Sequence, residues 1–260
     1  MQELRRQLLH YTHLIYQKGW VANHDGNLTA RSAPDRLLAT PTAMSKADIE
    51  DGDLITVDGA GQKVSGQRKP FSELVLHLAV YKQRPDVKAV IHAHPPYASA
   101  MSVAGVGLDR AFIAEAVVSL GERVPLVPFA PPKTPGFAGG VAEHCVLYDA
   151  LLLQNHGVIA YGESLEQAFL RLELVEHLAT ILHHSMAFGG PRYLDEVHLA
   201  PLLEARTQAG LGPIARGVKA APKAAAPTHI PAPAPAVRVQ PSRDQLVAII
   251  TDELRKLSSS

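Results

Sequence analysis

A single cysteine, Cys145, occurs in 260 residues, so the chain cannot form an internal disulfide. Charge of one sign is equally missing: 25 basic side chains balance 25 acidic ones. A net charge of zero leaves no global field to draw in nucleic acid or an anionic membrane surface. Nor does any run approach the roughly 20 consecutive apolar residues that a membrane-spanning helix needs. The N-terminal Met1-Gln-Glu-Leu-Arg-Arg6 leads into charged amphipathic sequence, without the apolar core of a targeting segment. These absences argue against a disulfide-stapled scaffold, a membrane span and binding driven by bulk charge, and they predict a cytoplasmic protein. Cys145, between His144 and Val146, reads as a small buried hydrophobe. With 47% apolar residues, the chain can bury one large core.

What the sequence does hold is concentrated in Ala89-Val-Ile-His-Ala-His-Pro95. A continuous apolar run that stops at two prolines reads as a buried strand, because proline has no N–H for a sheet ladder. The strand period of two puts His92 and His94 on one face, able to point at a common atom. Two neutral imidazoles and a third ligand make the open tetrahedral metal site of hydrolytic and lyase chemistry. The third is expected in Leu151-Leu-Leu-Gln-Asn-His-Gly-Val-Ile159, which resembles two strands meeting at a polar turn with His156 at its apex. Gly157 leaves the backbone room to approach.

Around these stretches the pattern alternates helices and strands. Leu4, Leu8, Leu9, Tyr11, Leu14 and Ile15 recur at helical spacing, predicting a helix over about 2–18. Asp25-Gly26 reads as a hairpin turn, and Gly26-Asn27 could offer N–H groups and an amide to an anion. Lys46-Ala-Asp-Ile49 reads as a short helix capped by Ser45. Leu54–Asp58 reads as a strand followed by a turn at Asp58-Gly59. Ser72 is expected to cap a helix running to Pro85, with Glu73 in its first turn. Residues 96–120 suggest a short helix, a loop and an apolar segment carrying Glu115, and Val124–Phe129 an edge strand. The glycine- and proline-rich stretch up to Gly140 reads as a loop. Ser164-Leu-Glu-Gln167 is a capping box opening a long helix whose stripe includes Leu165, Ala168, Leu172, Val175, Ala179 and Leu182.

Gly26-Asn27, Thr40-Pro-Thr42, Ser72-Glu73, His92-Ala-His94 and Leu153-Gln-Asn-His-Gly157 occur in an order and spacing that resembles the class II aldolase/adducin family. Within it, the likeness is to the aldolases that cleave L-fuculose or L-rhamnulose 1-phosphate. The resemblance covers roughly residues 1–210. It implies an α/β fold, three layers α/β/α around a mainly antiparallel sheet, assembled as a homotetramer with active sites near subunit interfaces. It further implies Zn²⁺ on His92, His94 and His156, Glu73 as the catalytic carboxylate, and Gly26, Asn27, Thr42 and Ser72 around a substrate phosphate. The implied reaction is retro-aldol cleavage of a ketose 1-phosphate to dihydroxyacetone phosphate and lactaldehyde. Three positions depart from that pattern: Ala43 stands for a glycine, Phe71 for a serine, and Ala114 about where a catalytic tyrosine is expected. A pentulose-phosphate 4-epimerase is a second reading, against which Glu73 stands in place of an aspartate. An adducin-like scaffold with a dead site is a third, against which all three histidines are present.

The aldolase domain is expected to span residues 1–212. Residues 213–241 are dominated by alanine and proline, with Arg216, Lys219, Lys223 and Arg238 but no acid, and read as an extended linker. From Ser242 to residue 260 an amphipathic helix is predicted, with Leu246, Ile250, Leu254 and Leu257 as its apolar stripe. A short helix alone is marginal in water, so it is expected to dock on a partner. This layout resembles the encapsulation peptides that attach cargo enzymes to shell proteins of bacterial microcompartments.

Overall fold

The structure is a computed structural model that describes residues 1–132 and 134–218. Helix α1 (Gln2–Gln17) ends as Gly19 turns left-handed, and is followed by the strands β1 (Asn27–Ala33), β2 (Arg36–Ala39), β3 (Ile55–Val57) and β4 (Lys63–Ser65). Helix α2 (Leu74–Gln83) leads into β5 (Ala89–Ala93), then α3 (Pro96–Val103), α4 (Ala114–Leu120), β6 (Leu126–Val127) and α5 (Pro135–His144). β7 (Ala150–Leu153), β8 (Val158–Gly162), α6 (Leu165–Ser185), α7 (Glu196–Gln208) and α8 (Gly212–Ala215) complete the described residues.

The strands form an eight-stranded sheet in the order β4-β3-β2-β1-β5-β8-β7-β6. Every neighbouring pair is antiparallel except β6 and β7. The expected mainly antiparallel sheet with helices on both faces is therefore the observed fold. Strand alternation divides the core. Ala89, Ile91 and Ala93 of β5 join α1, α3, α4 and α6 in one cluster, while Val90 joins α2 and α5 in the other. Each fully buried Leu or Ile in these clusters, such as Leu8, Ile91 and Leu151, stabilises the fold by about 1.5–3 kcal/mol. His92 shares its parity with Val90, so the middle of the sheet delivers it to the α2 side.

Several local expectations are corrected. Asp25-Gly26 lies before β1; the β1–β2 hairpin closes instead at Pro34-Asp35. Lys46–Ile49 is a turn rather than a helix, because the Lys46 side chain folds inward to bond the carbonyls of His24 and Met44. Ser72 is exposed and does not cap α2; Glu73 holds the cap position, without a capping bond. The stretch before Gly140 contains the start of helix α5, whose Pro135 sits in the first turn, where its missing N–H costs nothing. In the capping box at α6, Ser164 Oγ accepts from the Gln167 N–H as expected, but Gln167 Oε1 accepts from the Glu163 N–H rather than from that of Ser164.

At the start of β7, Asp149 is wholly buried between four arginines. Arg84 lies 3.0 Å away, Arg171 3.3 Å and Arg216 3.2 Å, and Arg206 completes the group. These pairs tie α7 and the segment after α8 to the sheet. The boundary expected at Gly212 thus falls inside the packed domain, which extends at least to Arg216. The predicted linker beyond residue 218 and the stripe Leu246, Ile250, Leu254 and Leu257 lie outside the described residues. No helix among the described residues is long and apolar enough to cross a membrane.

Candidate active site

The strand end of β5 and the β7–β8 turn bring three histidines together. His92 is buried, and its Nδ1–H donates to the Val158 carbonyl at 2.9 Å. That bond fixes the tautomer and leaves Nε2 with a free lone pair. His94 follows β5, anchored by its N–H to the Trp20 carbonyl, and places Nε2 3.1 Å from His92 Nε2. His156 stands in the turn that Asn155 closes with a left-handed φ of +56°. A Cβ at Gly157 would come within 2.5 Å of both the Ala93 carbonyl and the His94 ring. Only glycine lets the turn and the strand approach this closely.

Ligand atoms of the three histidines lie within 4.8 Å of one another. Nitrogens bound to a tetrahedral Zn²⁺ at about 2.0–2.1 Å are about 3.3 Å apart, close to the 3.1 Å between His92 and His94. Burial holds the His92 imidazole well below its usual range and lowers that of His94, so both are neutral donors. Asp25, which the sequence did not single out, has its carboxylate 3.6 Å from His94 Nδ1. A proton kept on that nitrogen leaves Nε2 free. The donor set therefore fits a borderline metal ion such as zinc.

Glu73 arrives from the N-terminal end of α2. Its Oε1 lies 2.9 Å from His156 Nε2, and its Oε2 3.5 Å from His92 Nε2. Asn27 Nδ2 donates to Oε2 at 2.8 Å. Burial opposes the carboxylate's charge, but the hydrogen bonds it accepts from His156 and Asn27 hold its pKa below the usual range. Glu73 is thus ionised, a proton acceptor facing the histidines.

Of the residues expected around an anion, Asn27 joins this cluster directly, paired with His92 across the β1–β5 ladder. Its Oδ1 is buried and has no partner among the described residues, an acceptor whose desolvation costs about 1–3 kcal/mol. Gly26 has φ +73°, and a Cβ there would meet Val21 Cγ1 at 2.3 Å. Thr42 is half-buried with its N–H on the Lys69 carbonyl, and Ser72 is exposed. Among the described residues neither side chain hydrogen-bonds to the cluster. Ala114 and the exposed Glu115 open α4, outside the histidine group. A cavity of about 170 Å³ adjoins Glu73 and His156, lined also by Phe129, Phe137, Gln154 and Asn155.

Among the described residues, three other than glycine adopt a left-handed backbone: Asn23, Ala43 and Asn155. All three lie in the loops that carry Gly26-Asn27, Thr42 and His156. Strain of this kind costs of order 1 kcal/mol or more per residue and persists where surrounding structure enforces it. Sequence reasoning also missed Lys46, whose buried ammonium bonds two of these loops. The only signal was a lysine in an otherwise small-residue turn.

The chain is similar in sequence and in fold to known proteins. A family model described as the class II aldolase and adducin N-terminal domain matches residues 6–183. The chain is 34% identical over 186 residues to a 3-oxo-tetronate 4-phosphate decarboxylase of Escherichia coli K12, covering 70% of this chain and 86% of that protein. It is 32% identical over 184 residues to an L-fuculose phosphate aldolase of Methanococcus vannielii, covering 70% and 97%. A solved structure of an L-fuculose 1-phosphate aldolase superposes with a TM-score of 0.73 at 28% identity, covering 78% of this chain and 96% of that one.

Proposed function

This chain belongs to the class II aldolase and adducin family, and from that premise we propose that it is a zinc-dependent lyase cleaving a ketose 1-phosphate, such as L-fuculose 1-phosphate, to dihydroxyacetone phosphate and lactaldehyde. The observation that carries the reading is the convergence of His92, His94 and His156 on one point, with ionised Glu73 2.9 Å from His156. Three neutral histidines leave a bound Zn²⁺ its full charge, and the ion supplies a Lewis acid for the negative charge that develops on substrate oxygens as the bond breaks.

The protein's own groups account for the protons. In a retro-aldol cleavage the hydroxyl on the departing carbon loses its proton, and the carbon left behind gains one. Glu73 is the base within reach, oriented through Oε2 by the Asn27 amide. Gly26, Asn27, Thr42 and Ser72 are proposed to receive the phosphate, which the strained backbones of the loops carrying Gly26-Asn27 and Thr42 support; the unpartnered Asn27 Oδ1 is an acceptor and suits a substrate hydroxyl instead. Homotetramer assembly, and docking of the 242–260 segment on a microcompartment shell protein in the cytoplasm, belong to the same proposal.

A second reading is decarboxylation of a 3-oxo acid phosphate, favoured by the 34% identity to a protein of that name. Both reactions leave electrons on a carbon beside a carbonyl, and both need one proton delivered there. Only the retro-aldol reaction also needs a base for a hydroxyl proton. Purified enzyme given L-fuculose 1-phosphate, L-rhamnulose 1-phosphate and a 3-oxo-tetronate 4-phosphate separates them. Dihydroxyacetone phosphate from a ketose supports the aldolase. Carbon dioxide from the 3-oxo acid, with both ketoses untouched, replaces it by the decarboxylase.

A further inference from the structure

Lys46 is a cation that the fold buries without a counter-ion. It is 1% exposed, and its Nζ donates to the carbonyls of His24 and Met44, both at 3.0 Å. Among the described residues no carboxylate forms an ion pair with it. Burial lowers its pKa to about 8, against the through-space pull of Asp25 and Glu73. Each of the two carbonyls follows directly on a left-handed residue: Asn23 (φ +50°) precedes His24, and Ala43 (φ +58°) precedes Met44. His24 leads into Gly26-Asn27, and Met44 follows Thr42-Ala43. One ammonium therefore ties together two strained loops, using two of its three N–H donors. A neutral amide could make the same two bonds. What only lysine adds is a positive charge, and a buried unpaired charge is costly unless something arrives to compensate it.

We propose that Lys46 is a positioning residue for the anionic group of the substrate: it clamps the Gly26-Asn27 and Thr42-Ala43 loops together and sets a fixed positive charge behind the phosphate they receive. The proposal rests on the reading that these loops take the substrate phosphate. The fold supplies the geometry, and the incoming dianion supplies the missing counter-charge.

Lys46→Gln keeps two donors and removes the charge, so it separates clamp from charge. Binding of inorganic phosphate to the full-length zinc-loaded protein is measured by calorimetry, with KM for the phosphorylated and unphosphorylated ketose alongside. The expected result is phosphate affinity at least about 10-fold weaker, KM raised only for the phosphorylated ketose, and zinc content and Tm unchanged. Unaltered phosphate affinity in a folded Lys46→Gln protein, where the wild type binds phosphate, would overturn the role of Lys46 and leave the phosphate reading standing. A wild type that neither binds phosphate nor prefers the phosphorylated ketose would overturn both. Should Lys46→Gln not fold, the Nζ resonance of Lys46 in lysine-labelled wild type decides: phosphate is expected to shift it, and an unmoved resonance in phosphate-saturated protein counts against the proposal.

Discussion

The two ends of β7 hold two buried polar clusters built on opposite principles. At its start, Asp149 is enclosed by Arg84, Arg171, Arg206 and Arg216, and its carboxylate meets cations on every side. Beyond its other end, the turn at His156 faces Glu73, His92 and His94 across a cluster that is left incomplete. Among the described residues Asn27 Oδ1 lacks a partner and Lys46 lacks a counter-ion, and Asn23, Ala43 and Asn155 hold left-handed backbones. In the first cluster every arginine meets the carboxylate, although Arg216 Nε is left unbonded among the described residues, and the cluster serves the fold. The second keeps bonding capacity in reserve and serves a ligand. A buried polar group is therefore informative chiefly through what it has not yet paired with.

Substitutions at the two ends should fail differently. Glu73→Gln is expected to lower kcat by about 10²- to 10⁴-fold, with zinc content and unfolding midpoint near wild type; steady-state kinetics beside metal analysis check both. Asp149→Asn is expected to do the reverse. It leaves buried arginines uncompensated and destabilises the domain by about 3–5 kcal/mol in denaturant unfolding, while the protein that remains folded keeps its metal and its KM. Equal loss of activity and stability in both variants would erase the distinction.

Acid should also tell the ends apart. His77, on α2 one turn beyond Glu73, is fully buried with Nδ1 2.8 Å from Thr29 Oγ1, and burial lowers its pKa to about 3. The unfolded chain takes up a proton near pH 6.5 that the folded domain refuses. Stability is thus full above pH 6.5 and falls as the pH drops toward 3, by about 2 kcal/mol at pH 5. Burial works against the charge of Asp149, but its arginines hold its pKa below the usual carboxylate range, so its contribution survives to lower pH. Urea unfolding from pH 7 to pH 4 is expected to show a slope to which the other buried histidines add, and His77→Gln to lessen it by about 2 kcal/mol between pH 6.5 and 5. The smallest effect concerns strain alone: Ala43→Gly should stabilise the domain by about 0.5 kcal/mol, relief of a left-handed alanine outweighing the added freedom of the unfolded chain.

Local periodicity made much of this architecture readable. The apolar run at Ala89–Ala93, the i, i+2 spacing of His92 and His94, the turn at His156 and the capping residue Ser164 each act within a few residues. What the pattern hid depends on contacts made across the fold. Lys46–Ile49 looks helical until its lysine finds two carbonyls in a different loop and its own turn. Helix α5 was masked by glycines, yet a Cβ at Gly140 would come within 2.6 Å of Val127, so that glycine answers to packing against β6. Asp149 draws arginines from as far along the chain as residue 216, and no local motif announces them. Asp25 became visible only when His94 turned its Nδ1 toward it.

The most direct test is cleavage of L-fuculose 1-phosphate and L-rhamnulose 1-phosphate by the purified protein before chelation, after it, and after Zn²⁺ is restored, with zinc counted per chain. The account predicts about one zinc per chain, dihydroxyacetone phosphate from one ketose at least, loss of that product with the metal, and its return with Zn²⁺. Cleavage indifferent to chelation, or a His92→Ala protein that retains zinc and full activity, would contradict it.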